Sequence, residues 1–264
     1  MGADASGPFL AGDGADMRNM PAVLLVGGMG TRLRSVVPST PKPLASVGNR
    51  SFLELLIRQL RSQGIRHLVM CTGYLADRIA SEFGDGSGWG VDIGYSKEPH
   101  PLGTAGAIKF AQDHLKNAFD FLVMNGDSFL EFDLQRFVRF HREHKGLASM
   151  AVVKVDNANR YGTVHLDDQN RVTGFMEKAG GDRPGLINGG AYILNRAVLG
   201  HIPEGAASLE KDVFPRFLGH GVYAMEQDGM FIDIGTPEDY ARAQQLCDRL
   251  YEAALSQPQP DSEP

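Results

Sequence analysis

The chain has 264 residues, of which 42% are apolar and 22% are charged, as is usual for a globular protein with a substantial core. Its formal net charge of -6 argues against a general affinity for nucleic acid or for anionic membrane surfaces. The two cysteines, Cys71 and Cys247, lack the spacing of a zinc site or a disulfide framework, so both are expected to be reduced thiols.

The composition along the chain predicts one folded domain with a loose segment at each end. Residues 1–19 are small and polar, and glutamine and proline recur near the end, so we expect a disordered extension over 1–19, a domain over 20–251 and a flexible tail over 252–264. No apolar run approaches the roughly 20 residues that a membrane span needs. The N-terminal stretch also lacks the pattern of a secretion signal, so a cytoplasmic location is expected.

The first half of the domain alternates short apolar runs with amphipathic helical patterns. Strands are predicted at 22–26, 67–71, 91–95 and 121–124, with helices at 52–60, 75–83 and 105–115 between them. Ser51 is the expected N-cap of the first helix, and Gly64 closes it. This alternation predicts an α/β fold with a mostly parallel sheet that is covered on both faces.

The second half is richer in strands. They are predicted at 148–155, 162–166, 172–177 and 187–194, followed by a helix from 237 to about 251. We therefore predict a β-rich insertion that forms one wall of a site at the carboxyl ends of the central strands. His141 and His144 are expected on a solvated helix face, and Trp89 either lines the site or anchors a loop.

A glycine-rich segment, Gly27-Gly28-Met29-Gly30-Thr31-Arg32-Leu33, directly follows the first strand. Its three glycines let the backbone approach a ligand closely with N–H groups facing phosphate oxygens, and the Arg32 guanidinium suits phosphate as well. A tight strand exit would explain the glycines alone. The Gly-Lys-Ser/Thr ending of a P-loop is absent, and the match to the dinucleotide-binding pattern is poor.

Three further charged residues have positions that favour phosphate chemistry. Pro41 and Pro43 hold Lys42 in a stiff segment, which suits contact with a triphosphate whose leaving group gains charge. Asp127 ends the strand at 121–124, and Asp233 lies between apolar residues, so the two are expected to hold Mg²⁺. Thr236 and Pro237 are the better start of the following helix, which leaves Asp233 free for the metal.

Two polar segments in the strand-rich half could recognise a phosphorylated sugar. Glu177-Lys178 ends one predicted strand, and Asn188-Gly189-Gly190 begins another. Each is also typical of an ordinary exposed turn. Together they would supply a cation for the phosphate from Lys178 and hydrogen bonds to sugar hydroxyls from Glu177 and Asn188.

These motifs, taken in order from Gly-Gly-x-Gly-Thr-Arg-Leu to Asp-Ile-Gly-Thr-Pro, resemble those of the sugar-1-phosphate nucleotidyltransferases over about residues 20–251. The resemblance implies a single domain with a Rossmann-like, mixed and mostly parallel central sheet, and dependence on Mg²⁺. It implies an NTP and a sugar 1-phosphate as substrates, with in-line attack of the sugar phosphate on the α-phosphate and release of pyrophosphate. No protein nucleophile is expected, so positioning and charge stabilisation would carry the catalysis.

The resemblance also implies a role for each matching residue. Arg32, Lys42 and Asp127 would act in catalysis, and Asp127 and Asp233 would hold Mg²⁺. The residues expected at the nucleotide are Leu24, Gly27, Gly28, Gly30, Thr31, Gly103 and Thr104. The residues expected at the sugar phosphate are Gly162, Glu177, Lys178 and Asn188.

Residues 31–37 and 101–108 look most like those of the D-glycero-α-D-manno-heptose 1-phosphate guanylyltransferases, which implies GTP and a product used in surface polysaccharide synthesis. Thymidylyl-transferring relatives usually carry glutamine where this chain has Gly106, which argues against that nucleotide. A mannose-1-phosphate guanylyltransferase, another sugar-1-phosphate uridylyl- or thymidylyltransferase, and a non-catalytic regulatory subunit on the same fold stay open as alternatives. The sequence is also compatible with a homo-oligomer.

Overall fold

The structure of the chain is a computed structural model, and it describes residues 17–28, 30–33, 35–37, 40–158, 160–176 and 183–256. Within these ranges the strands are β1 (Ala22–Leu25), β2 (Ser46–Val47), β3 (Arg50–Ser51), β4 (His67–Thr72), β5 (Asp92–Lys97), β6 (Asp120–Asn125), β7 (Ser128–Leu130), β8 (Ala148–Val155), β9 (Thr163–Leu166), β10 (Val172–Met176), β11 (Gly185–Asn195), β12 (Val222–Gln227) and β13 (Phe231–Asp233). The α-helices are α1 (Phe52–Ser62), α2 (Ala76–Phe83), α3 (Gly103–Phe110), α4 (Leu134–His144), α5 (Pro237–Gln245) and α6 (Cys247–Leu255).

A nine-stranded mixed sheet runs through the molecule in the order β10-β9-β11-β6-β1-β4-β5, with β8 joining β11 to β12. One side of the sheet, from β6 through β1 and β4 to the edge strand β5, is entirely parallel. The strand β11 runs antiparallel to β6 and leads into the strand-rich half. The prediction of a single α/β domain with a mixed sheet and a β-rich insertion is confirmed.

Both faces of β1, β4 and β6 are buried, which is what their unbroken apolar runs predict. In β1, Leu24 belongs to the core cluster that contains α1 and α6, whereas Val23 belongs to a second cluster on the opposite face with α3. Because alternate residues of a strand point to opposite faces, four apolar residues in a row are enough to join the two clusters.

Local sequence signals set several helix boundaries as predicted. The Ser51 hydroxyl accepts a hydrogen bond from the Glu54 N–H at the start of α1, and Gly64 lies just beyond its end with a φ of 94°. Thr236 caps α5 in the same way, with Pro237 at the first helical position. The Thr236 side chain therefore takes the cap, and Asp233 does not serve as one.

Two helices differ from their predicted lengths. The segment 237–251 is not one helix, because it breaks at Leu246, which packs against the core between α5 and α6. The segment predicted as a helix at 105–115 starts earlier, at Gly103, and gives way after Phe110 to a 3₁₀ turn. Neither break carries a proline or glycine, so tertiary packing overrides the local helical pattern.

The two histidines of α4 are not on a solvated face, and that prediction was wrong. His141 is buried between α4 and the sheet, with Nδ1 2.9 Å from the Ser149 hydroxyl and Nε2 3.5 Å from Asp120. His144 is partly buried and its ring packs against those of Phe140 and Tyr223. The exposed Arg142 and Glu143 between the two histidines hid their inward direction from the sequence pattern.

Trp89 anchors a loop in the structure. Its ring packs against Phe83 with a centroid distance of 5.2 Å, and the Arg58 guanidinium lies over it. Trp89 lines none of the three cavities at the strand ends that are described below. Of the two alternatives, the structure therefore favours the loop anchor.

The packed chain extends slightly beyond the predicted domain of 20–251. Met17 is buried before its start, and Ala254 in α6 is fully buried after its end. The remaining parts of the predicted extension and tail, residues 1–16 and 257–264, lie outside the described residues. Among the described residues, no helix has the length and apolar content that crossing a bilayer requires.

Candidate active site

A small two-stranded ribbon brings together the two aspartates that the sequence singled out. Strand β7 follows directly after Asp127, and it pairs with β13 so that Asp233 lies opposite Ser128. The Ile234 N–H also donates to the Asp127 carbonyl at 2.9 Å. Two carboxylates far apart in the chain therefore meet at the carboxyl end of β6, the edge of a parallel sheet where ligands bind.

Lys42 lies between these carboxylates. Its Nζ is 2.6 Å from the Asp127 Oδ2 and 3.8 Å from the Asp233 Oδ1. The lysine side chain is 11% exposed, whereas the aspartates are 39% and 28% exposed. The lysine is therefore held inside the site while both acids remain accessible from solvent.

The electrostatics of this cluster indicate a place for additional positive charge. Burial, and then the charge of Asp127, raise the pKa of Asp233, while Lys42 and the Gly235 N–H work in the opposite direction. A second cation near both acids would relieve the repulsion that a single ammonium leaves. Carboxylate oxygens are the ligands that hard divalent cations prefer, so the donor set fits such an ion.

A cavity of about 170 Å³ lies between the glycine-rich segment and this cluster. Its wall includes Gly28, Gly30, Thr31, Arg32, Lys42 and Asp127. Gly30 has a φ of 58°, and a Cβ there would lie 2.9 Å from the Lys42 Cβ. Only glycine fits this approach, so Gly30 lets the segment and the lysine pack on each other.

A second cavity, of about 320 Å³, opens beside the first and shares Gly28 and Asp127 with it. Its wall includes Gly27, Gly103, Thr104, Glu98 and Asn125. Together the two cavities take in all of the residues predicted at the nucleotide except Leu24. The Leu24 side chain is fully buried in the core. The neighbouring residue on β1, Leu25, lines both cavities instead.

Sequence analysis missed Glu98, which lies just after β5. Its Oε2 accepts a hydrogen bond from the Leu102 N–H at 3.0 Å, and burial raises the pKa of its carboxyl above the usual value. A carboxylate in a cavity wall with a raised pKa is a common feature of binding sites. Its position directly after a parallel strand is the signal that could have found it.

A third cavity, of about 430 Å³, lies in the strand-rich half. It is lined by Gly162, Thr163, Phe175, Met176, Asn188, Glu210 and Lys211. Two of the residues predicted at the sugar, Gly162 and Asn188, are therefore in one wall. The other two, Glu177 and Lys178, lie outside the described residues.

Asn188 is positioned by an irregularity in β11. That strand begins at Gly185, not at Asn188, and its register against β8 shifts between Asn188 and Tyr192. The Asn188 Oδ1 accepts from the Gly190 N–H at 2.9 Å, and Gly190 has a φ of 75°. Such bulges redirect side chains next to functional sites, and here the bulge presents Asn188 to the cavity.

Glu210 and Lys211 were also missed. They lie on a single turn of π-helix, Leu209–Val213, that borders the third cavity. A π-turn frequently marks a functional site because it displaces side chains from the regular helical positions. The sequence gives no pattern for such a turn.

Gly106 has a structural reason to be glycine. A Cβ at this position would lie 2.4 Å from the Gly205 carbonyl oxygen and 3.3 Å from the Ala207 nitrogen. A glutamine at this position would therefore require the 205–207 backbone to move. Glycine at position 106 therefore allows α3 to pack closely against the backbone of residues 205–207.

Comparison with known proteins agrees with this architecture. The family model described as Nucleotidyl transferase matches residues 21–249, and the chain belongs to that family. It is 40% identical over 230 residues to the D-glycero-alpha-D-manno-heptose 1-phosphate guanylyltransferase of Aneurinibacillus thermoaerophilus, covering 85% of this chain and 97% of that protein. The crystal structure of HddC from Yersinia pseudotuberculosis complexed with GMP-PN has a TM-score of 0.77 and 34% identity, covering 86% of this chain and 98% of that one.

A second group of relatives is longer. The mannose-1-phosphate guanylyltransferase of Mycobacterium tuberculosis is 38% identical over 225 residues, which are 84% of this chain and 62% of that protein. The chain thus spans a little under two thirds of the length of these mannose-1-phosphate relatives. The heptose relatives, by contrast, match over nearly their whole length.

Proposed function

We propose that this chain transfers GMP from GTP to D-glycero-α-D-manno-heptose 1-phosphate, giving GDP-heptose and pyrophosphate. The observation that carries the proposal is the cluster of Lys42, Asp127 and Asp233, in which Asp127 lines both of the first two cavities and Lys42 lines the first. A reacting α-phosphate placed there would meet the Lys42 ammonium and a divalent cation held by the two carboxylates. These are the groups that phosphoryl and nucleotidyl transfer require.

The residues of the chain would act mainly by positioning. The N–H groups of the glycine-rich segment and the Arg32 guanidinium would hold the phosphates of the NTP in the first cavity. Lys42 would stabilise the charge that develops on the leaving pyrophosphate, since it is held by both aspartates beforehand. The sugar phosphate would attack in line, so that no covalent bond to the protein is needed.

Mg²⁺ is the metal we propose for the two aspartates. Asp127 and Asp233 offer one accessible carboxylate each, which fits an ion that combines one or two protein carboxylates with substrate phosphates. When bound, the ion would neutralise phosphate charge and fix the geometry of the triphosphate. The two carboxylates would hold it beside the Lys42 ammonium.

Glu98 supports guanine as the base. Its carboxylate lines the second cavity, and one oxygen is held by the Leu102 N–H. Guanine presents N–H donors at N1 and N2, and these complement a carboxylate acceptor. Adenine and the pyrimidines lack this pair of adjacent donors, so the same carboxylate would favour GTP over the other nucleotides.

Two groups of relatives support two sugars. The heptose enzymes of Campylobacter jejuni and Aneurinibacillus thermoaerophilus are matched over 97% of their length at 37% and 40% identity. These matches support heptose 1-phosphate as the first candidate for the sugar substrate. Mannose 1-phosphate is the second candidate, on the 38% identity to the longer mycobacterial relative. A non-catalytic subunit is disfavoured by the assembled Arg32, Lys42, Asp127 and Asp233, and by the access that solvent has to both acids.

The test is pyrophosphate release by the purified full chain with Mg²⁺, each of five nucleotides (ATP, CTP, GTP, UTP and dTTP) and either heptose or mannose 1-phosphate. The expected result is a rate confined to GTP and highest with the heptose. A higher kcat/KM with mannose 1-phosphate would transfer the assignment to the second candidate. No release from any pair would overturn both.

A further inference from the structure

Helix α5 holds the short hairpin of β2 and β3 through hydrogen bonds to the hairpin backbone. The Tyr240 hydroxyl donates to the Ser46 carbonyl at 2.6 Å, and the Gln244 Nε2 donates to the same oxygen. The Gln244 Oε1 accepts from the Gly48 N–H at 2.9 Å. Because Tyr240 and Gln244 are four residues apart, both lie on one face of the helix. These two residues are called the α5 clamp below.

Helix α6 packs on the same hairpin. The Tyr251 hydroxyl donates to the Val47 carbonyl at 3.2 Å, and the Arg50 guanidinium lies over the Tyr251 ring at 4.9 Å from its centroid. At the turn of the hairpin, a Cβ on Gly48 would lie 3.5 Å from the Cys247 Sγ, an ordinary packing distance. The two C-terminal helices therefore contact β2, the turn and β3.

The hairpin is joined to Lys42 by a very short stretch of chain. A 3₁₀ turn, Lys42–Leu44, ends one residue before β2 begins at Ser46. The Ala45 N–H donates to the Lys42 carbonyl at 3.0 Å, and the Ala45 carbonyl accepts from the Phe52 N–H at 3.0 Å. Prolines on both sides of Lys42 restrict this backbone further. A displacement of the hairpin would therefore also displace Lys42.

The N-terminus of α5 adjoins the second carboxylate of the cluster. Thr236 is the N-cap of the helix, and Asp233 lies three residues before it. The Asp233 Oδ1 accepts from the Gly235 N–H and lies 3.8 Å from the Lys42 Nζ. One helix thus follows directly after Asp233 at its beginning and, through the α5 clamp, holds the segment of Lys42 near its end.

We propose that Tyr240 and Gln244 are positioning residues for Lys42, because they fix the hairpin on α5 and so set the place of the ammonium relative to Asp127 and Asp233. This inference rests on the proposed function. Neither residue of the α5 clamp is in the described walls of the three cavities at the strand ends, so its effect passes through Lys42. A displacement of a catalytic group by about 1 Å can cost about 10²-fold in rate.

Steady-state kinetics of the full chain test the α5 clamp. Gln244→Met keeps the length of the side chain and removes both of its hydrogen bonds to the hairpin. We expect it to lower kcat for pyrophosphate release about 3- to 30-fold, with the KM values for GTP and heptose 1-phosphate within about twofold of the original. Circular dichroism confirms that the variant is folded. An unchanged kcat in Gln244→Met would overturn the proposal.

Two further comparisons separate positioning of Lys42 from a general loss of packing. Tyr240→Phe should also lower kcat, whereas Tyr95→Phe, which removes a hydroxyl bond of 2.7 Å between β5 and the Gly84 carbonyl, should not. In the Lys42→Met background, Gln244→Met should change the residual kcat by less than about twofold, since the residue that it positions is gone. Losses that multiply in that double variant would contradict an effect through Lys42.

Chemical labelling of lysines tests the positioning without the reaction. Acetylation by an N-hydroxysuccinimide ester, followed by mass spectrometry, gives a rate for each lysine. Lys42, with a side chain that is 11% exposed, should react slowly in the original chain and at least about fivefold faster in the double variant Tyr240→Phe/Gln244→Met. Lys97, which is 60% exposed, should react at the same rate in both proteins.

The two measurements distinguish failure of this inference from failure of the proposed function. If no sugar 1-phosphate gives pyrophosphate but Lys42 becomes reactive in the double variant, the α5 clamp stands and the proposed reaction falls. If the chain is active and the double variant keeps the original kcat, the α5 clamp falls and the reaction stands. If the chain is inactive and Lys42 labelling is unchanged, both fall.

Discussion

Strand β6 has an aspartate near each end, and the two are in opposite environments. Asp120, at the amino end, is 9% exposed, accepts from the Asn195 Nδ2 at 3.0 Å and lies 3.5 Å from His141 Nε2. Asp127, just beyond the carboxyl end, is 39% exposed and forms a 2.6 Å ion pair with Lys42. The two acids are about 20 Å apart along the strand.

The difference shows what separates a structural cluster from a reactive one. The partners of Asp120, Asn195 and His141, belong to two packed elements, and its side chain is only 9% exposed, so it offers little surface to a ligand. Asp127 shares one ammonium with a second acid, Asp233, and both acids face solvent. Two accessible carboxylates that share a single lysine leave negative charge unneutralised, and a divalent cation bound to substrate phosphates can neutralise it.

The largest effect on catalysis should come from removing the lysine of the reactive cluster, which consists of Lys42, Asp127 and Asp233. Lys42→Met is expected to lower kcat for pyrophosphate release about 10²- to 10³-fold, because one fixed donor to the developing charge is lost. Lys97→Met is the matched control, since Lys97 forms an exposed pair with Asp77 at 2.8 Å. Steady-state kinetics measure kcat for both variants, and an equal decrease in the two would contradict a specific role of Lys42 in catalysis.

A substitution in the structural cluster, which consists of Asp120, His141, Ser149 and Asn195, should lower stability and leave catalysis unchanged. His141→Ala is expected to cost about 2–4 kcal/mol of folding free energy, because it leaves a cavity and unpaired groups on Asp120 and Ser149. The kcat of the folded fraction should stay unchanged. Urea denaturation measures the loss, with the exposed His67→Ala as control. Stability within about 0.5 kcal/mol of the original would show that the cluster contributes little.

A third acid sharpens the comparison, since Glu98 follows the carboxyl end of β5 and lies on the same edge as Asp127. Glu98→Gln should lower kcat/KM for GTP about 5- to 150-fold, the equivalent of the 1–3 kcal/mol of a bidentate base contact. The value for ATP should change little. Glu143→Gln, on an exposed part of α4, is the control. An equal decrease for both nucleotides would contradict a base-reading role.

The smallest effect concerns pH and Asp233. Its raised pKa means that the folded state holds the proton more tightly than the unfolded state, so ionisation of Asp233 lowers stability as the pH rises through the folded pKa. Asp233→Asn should therefore stabilise the metal-free protein at neutral pH by less than about 1 kcal/mol. The gain should vanish below the ordinary carboxyl pKa of about 4.

Thermal unfolding with a chelator, between pH 3 and 8, measures this dependence. The exposed Asp228→Asn serves as control and should show no such pH-dependent gain. A destabilised Asp233→Asn at neutral pH would mean that the pair with Lys42 outweighs burial and the repulsion from Asp127.

Much of the fold follows from local sequence. The run Ala22–Leu25, the cap at Ser51 and the Thr236-Pro237 start each depend on a few adjacent residues, and the structure has them as predicted. The break at Leu246 was not predictable in this way. It depends on packing against elements that are distant in the chain, and no local signal marks it.

The residues of the candidate site also fall into those that local motifs predict and those that depend on distant parts of the chain. Gly30 and Asp127 stand in short motifs that follow strands, and Lys42 stands in the Pro-Lys-Pro motif. These motifs are enough to predict that the three residues converge. Glu210 and Gln244 could not be found, because a π-turn and a hydrogen bond to a distant backbone have no sequence signature. His141 was misplaced for a related reason: its partners, Asp120 and Ser149, come from two other elements.

The most direct test of the central claim compares the two aspartates of β6 in one assay. Pyrophosphate release from GTP and heptose 1-phosphate is measured for Asp127→Asn and Asp120→Asn at equal concentrations of folded protein, checked by circular dichroism. We expect a loss of at least about 10³-fold for Asp127→Asn, and a kcat within about twofold of the original for Asp120→Asn despite lower stability. Retained activity in Asp127→Asn would contradict the assignment of the active site.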